Sequence, residues 1–123
     1  MTAYHGGAGL LTNKDIVTAA AGILGTEAYH AANVRAAILD LGDPAIGTAQ
    51  KISDLRDALD GTTDDDQGVT SDGTVAGTAN IVPTDANGLV YSRTTRQVLN
   101  IVYGAVNASS GLFYPTGLNG AIK

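Results

Sequence analysis

Eight positions between Asn13 and Gly42 constrain this chain more than any other feature in it. Ile16, Ala20, Ile23, Glu27, His30, Val34, Ala37 and Leu41 are spaced 4, 3, 4, 3, 4, 3 and 4. That is the a/d seam of a helix, held for nearly four heptads. Asn13 is a good N-cap, Asp15 places a carboxylate in the first turn where it suits the helix dipole, and Gly42-Asp43-Pro44 ends the segment. At 1.5 Å per residue such a helix is roughly 40 Å long, the length of a bundle helix. Gly22 and Gly25 each weaken it by about 1 kcal/mol relative to Ala, while their small size permits close helix approach.

Two of the eight seam positions are not apolar. Glu27 and His30 form an E-x-x-H pair, and residues at i and i+3 can reach one ion together. In di-iron and di-manganese bundles two helices each supply such a pair and two more each supply a Glu. A carboxylate facing a core is costly unless it is paired, protonated or metal-bound. Glu27 and His30 are therefore the candidate metal ligands, for iron, manganese or zinc. The plain structural alternative is that they hydrogen-bond to each other or to neighbouring Tyr and Asn groups.

Composition weighs against a complete dimetal centre in one chain. Of the twelve acidic residues eleven are Asp, and Glu27 is the only Glu. Asp favours caps, turns and loops, so most of the negative charge belongs at helix ends and in loops. The net charge of −5 argues against nucleic acid and anionic membrane surfaces as partners. Without Cys there is neither a disulfide framework nor a thiolate metal site. No apolar run is long enough for a spanning helix, and the first residues form no signal peptide. A length of 123 residues favours a single domain over 1–123 on a soft prior of about 150 residues per domain.

The remaining elements are shorter. Residues 1–12 are small and Gly-rich and read as an irregular arm. A second helix is expected over about 48–59, with Ile52, Leu55 and Leu59 on one face. A Gly, Thr and Asp-rich stretch then runs from Asp60 to about Tyr91, with a short extended piece at Asn80-Ile81-Val82. Residues 92–105 read as a second bundle-type helix: Thr94 and Gln97 fit a capping box, and Val98, Ile101, Val102 and Ala105 give an apolar face. Gln97 and Asn100 repeat the i, i+3 spacing of Glu27 and His30, but amides ligate transition metals poorly.

Other constellations are weaker. The run from Asp60 to Asp66 departs from the EF-hand pattern, lacking its Gly and its terminal Glu, and reads as a solvated acidic loop. Gly6-Gly7-Ala8-Gly9 follows no strand and carries no P-loop Lys. No Ser/His/Asp arrangement supports nucleophilic catalysis.

A wider resemblance joins these pieces. Residues 20–31 (Ala-Ala-Gly-Ile-Leu-Gly-Thr-Glu-Ala-Tyr-His-Ala), Asn80-Ile81-Val82-Pro83-Thr84-Asp85-Ala86-Asn87-Gly88, Ser92-Arg93-Thr94 through Ile101-Val102-Tyr103, and Phe113-Tyr114-Pro115-Thr116-Gly117-Leu118-Asn119-Gly120 resemble the ferritin-like family of desiccation-related proteins. The resemblance covers the C-terminal half of that family's domain. It implies an all-α fold: half of a ferritin-like helical bundle with long irregular loops, completed by association. The two earlier helices of the family, with their carboxylates and half of the core, have no counterpart here. Large seam side chains are worth roughly 1.5–3 kcal/mol each on full burial, too much to leave in water. The expected partner is therefore a second copy, or a second chain supplying the missing helices. The implied function is non-catalytic and structural, of the desiccation- or stress-associated type, extracellular or periplasmic, with no cofactor. The alternatives are a metal-binding ferritin-like protein using Glu27 and His30, and a filament or coat subunit.

Overall fold

The structure is a computed structural model that describes residues 1–61 and 63–122. Its elements are α1 (Thr2–Gly7), a 3-10 turn at Ala8–Leu10, α2 (Lys14–Leu41), α3 (Ala45–Asp60) and α4 (Thr95–Tyr103). Among the described residues extended pairing is confined to two isolated bridges, Thr70 with Ala79 and Gly111 with Tyr114. The fold is all-α, as expected. Asn80-Ile81-Val82 forms no strand; the Asn80 N–H instead donates to the Val69 carbonyl at 2.9 Å.

The long helix has the bounds its caps dictate. Asn13 Oδ1 accepts from the N–H groups of Asp15 (2.9 Å) and Ile16 (3.4 Å), and Gly42 leaves the helix at φ 67°. The capping box at Thr94 and Gln97 is present, and Gly104 closes α4 in the left-handed region. That last helix has only nine residues, shorter than the sequence suggested. Residues 1–12 are not an irregular arm. Weak intrinsic propensity is overridden by contacts made far along the chain: the Arg93 N–H donates to the Thr2 carbonyl at 3.1 Å. Gly6 also lies so close that a Cβ there would be 1.9 Å from the Arg93 carbonyl oxygen.

The core is small. Ile46 of α3, Val69 of the following loop, and Leu99 and Tyr103 of α4 are its buried large apolar side chains. The Tyr103 hydroxyl accepts from the Leu118 N–H at 3.2 Å, which ties the tail to α4. Asn100, also buried, accepts from the Asn107 N–H at 2.9 Å. This amide closes the turn after α4.

The packed face of α2 is not the seam. Val17, Leu24, Ala28, Ala31, Arg35 and Ile38 are half-buried, and α2 is contacted by α1 and α3. Among the described residues α4 packs on α1 and α3 rather than on α2, being too short to cover a 28-residue helix. Of the eight seam positions only Ala20 and Glu27 are half-buried. Ile16 (53%), Ile23 (44%), Val34 (58%) and Leu41 (74%) face outward, with His30 and Ala37 between them. Within one chain the seam has no cover.

Candidate functional site

Glu27 and His30 differ in their surroundings. They sit about 60° apart around the α2 axis, the ordinary offset of i and i+3. Glu27 lies at the margin of the packed face, with its carboxylate 41% exposed and 2.8 Å from the Met1 amino group. His30 lies on the exposed side. Among the described residues no group of three or more His, Asp or Glu side chains is gathered as a metal site. Within one chain these donors do not fit a dimetal centre, and any ion at Glu27 and His30 must take further ligands from another molecule. Gln97 and Asn100 are likewise separated: the first caps α4 and the second holds the turn that follows it.

The structure gathers its charges elsewhere, around arginines that carry little local signal. Arg93, 6% exposed, precedes the N-cap of α4. Its Nε donates to Asp60 Oδ2, and its Nη1 donates to Thr2 Oγ1 at 2.9 Å. Its Nη2 lies 3.5 Å from Asp66 Oδ2 and 3.8 Å from Asp57 Oδ1. Arg56 completes the group, donating from Nη2 to Asp66 Oδ1 at 2.8 Å. Both ends of the expected solvated acidic loop are therefore drawn inward: the Asp60 side chain is 0% exposed and that of Asp66 11%. Thr62, within that run, lies outside the described residues.

Arg35 forms a second clamp on the packed face of α2. Its guanidinium donates to the carbonyls of Gln67 (2.9 Å), Asn80 (3.1 Å from Nε) and Gly68. A planar five-donor group suits several carbonyls at once, which Lys could not match. One signal did point to it: apart from Lys14 at its start, α2 contains no other Lys or Arg. Arg93 carries no such signal, because its partners lie 33 and 91 residues away.

Crowding among the carboxylates has a measurable consequence. Burial, reinforced by Asp60, Asp64 and Asp66, raises the Asp57 carboxyl to about 6, with Arg93 acting in the opposite direction. A carboxyl raised in the folded state binds its proton more tightly there than in the unfolded chain. Stability from this group therefore falls as pH rises from the ordinary carboxylate range to about 6. Asp57→Asn should stabilise the protein at pH 7 and leave it nearly unchanged at pH 3.5. Urea unfolding at the two pH values checks this, and equal effects at both would refute it.

Beside the clamps lies a cavity of about 360 Å³, walled by α2 at Ala28 and Ala31, by Ile81 and Val90, and at its polar side by Arg35 and Arg93. Both guanidiniums are already engaged, by backbone carbonyls and by carboxylates respectively. The arrangement joins α1, α3, the 60–91 segment and the approach to α4 into one unit. No helix of the described residues is long and apolar enough to cross a membrane.

Comparison with known proteins adds one finding. Searches among curated proteins and among solved structures give no match. The ferritin-like domain family matches residues 1–40, which comprise α1, the 3-10 turn and nearly all of α2. Over those residues the chain is similar to a ferritin-like domain.

Proposed function

We propose that this chain is a non-catalytic structural protein of the desiccation- or stress-associated ferritin-like kind, a half-bundle completed by association. The observation that carries this reading is the uncovered seam of α2. A monomer of 12.4 kDa exposes about 6,100 Å² on the general scaling of surface with mass. This chain exposes 7696 Å². Ile16, Ile23, Val34 and Leu41 of α2 are among the large apolar side chains left in water. The buried charges support a structural role, since Arg93, Arg56 and Arg35 are spent holding segments together. The desiccation-related kind and the extracytoplasmic location rest on the four segments of sequence resemblance.

Sedimentation velocity at micromolar concentration tests the association. We expect a species larger than 12.4 kDa. A compact monomer that unfolds cooperatively would overturn the reading. Oxygen uptake on adding Fe(II) tests the absence of catalysis. No uptake above buffer is expected, whereas stoichiometric iron after aerobic purification together with oxygen consumption would favour a metal-dependent oxidoreductase instead.

A further inference from the structure

We propose that the exposed seam of α2 pairs with the same seam of a second copy of this chain, antiparallel, about a two-fold axis between Ala28 and Tyr29. This rests on the association argued above and narrows it to one partner and one register.

The seam is self-complementary about that midpoint. Antiparallel pairing places Ile16 against Leu41 of the second copy, Ala20 against Ala37, Ile23 against Val34 and Glu27 against His30. Large apolar side chains meet large ones, small meet small, and the imidazole meets Glu27, whose carboxylate also holds the Met1 amino group at 2.8 Å. These are also the alternating a and d layers of an antiparallel pair, because the spacings 4, 3, 4, 3, 4, 3 and 4 read the same in both directions. A parallel pair would stack Glu27 on Glu27, two carboxylates in an apolar seam, and would align the helix dipoles unfavourably. A two-fold contact uses the same patch twice, and this patch is built to match itself.

The structure leaves the patch free to act this way. Ile16, Ile23, Val34 and Leu41 are exposed along a helix of 28 residues, and His30 and Ala37 complete the exposed line. Glu27 is the only charged member of the seam, so the net charge of the chain is not concentrated on the contact. The accessible surface exceeds that of an ordinary monomer of this mass by roughly 1,600 Å², whereas a stable interface of standard size buries roughly 800 Å² per partner. That surplus belongs to the whole chain, and the four large apolar seam residues contribute part of it.

The chain contains no cysteine, so the register can be read by cross-linking. Ala20→Cys and Ala37→Cys variants are prepared separately, mixed, allowed to exchange and treated with a short bis-maleimide. In the proposed register the two sites adjoin across the dimer. Two copies of the same variant hold their cysteines roughly 25 Å apart, beyond the reagent's reach. We expect cross-linked dimer in the mixture at least five-fold above either variant alone. Efficient cross-linking of each variant with itself would mean parallel pairing and overturn the proposal. A dimer by sedimentation that gives no cross-link in any sample would place the contact on another face, leaving association intact. A monomer at every concentration would remove both readings and point to a different chain as the partner. As an independent measure, Ile23→Asp should raise the dimer dissociation constant at least 100-fold while keeping the helical circular dichroism. Unchanged dimerisation of that variant would overturn the proposal.

Discussion

Arg93→Met is expected to destabilise the protein by about 3–5 kcal/mol, the usual cost of removing one partner from a buried ion pair. The Met side chain replaces much of the aliphatic stem but leaves Asp60, whose side chain is 0% exposed, without its cation. It also frees Thr2 Oγ1 and removes the guanidinium 3.8 Å from Asp57 and 3.5 Å from Asp66, the latter keeping its closer contact with Arg56. Against a typical total of about 5–15 kcal/mol, that is a large share of the stability of the fold. The penalty should shrink when Asp60 is neutralised. Combining Arg93→Met with Asp60→Asn should therefore recover a substantial part of it. Urea unfolding of the wild type, both single variants and the double variant closes the cycle. A cost below about 1 kcal/mol for Arg93→Met would mean that water screens the pair as at a surface.

Ile46→Ala should cost about 2–5 kcal/mol, because deleting a buried side chain loses its transfer energy and leaves a cavity. Ile46 is 1% exposed near the start of α3, among only a few large buried apolar side chains. The loss should fall towards the upper end, since a small core offers few neighbours that can move in. Leu41→Ala is the matching control. Leu41 is 74% exposed within one chain, so its truncation should change monomer stability by less than about 0.5 kcal/mol. If α2 pairs with a second copy, the same truncation weakens the dimer, and its apparent cost grows with protein concentration. Equal effects of the two truncations in dilute solution would contradict the core described here.

Local signals were sufficient for much of the helical framework. Asn13 and Gly42 bound α2, and Thr94 with Gln97 starts α4, because caps are satisfied by side chains within three residues of the helix end. The heptad spacing of residues 16 to 41 is equally local, and within one chain most of that line is exposed. The face that packs within the chain was not legible. Leu24, Ala28, Ala31, Arg35 and Ile38 lie beside the seam with the same 4, 3 spacing, and only the position of α3 and α1 decides between the two lines. Residues 1–12 read as an arm because Gly disfavours helix, yet α1 forms there on contacts with Arg93. The acidic run from Asp60 read as solvated for the same reason: its cations come from Arg56 and from Arg93, distant in sequence from Asp60. The sequence by itself determined where α2 starts and stops, the cap of α4 and which residues repeat along α2, since those depend on neighbours within a turn or two. Tertiary structure alone decided which charges are buried and which stripe of α2 stays in water, because both depend on chain closures over tens of residues that no local pattern encodes.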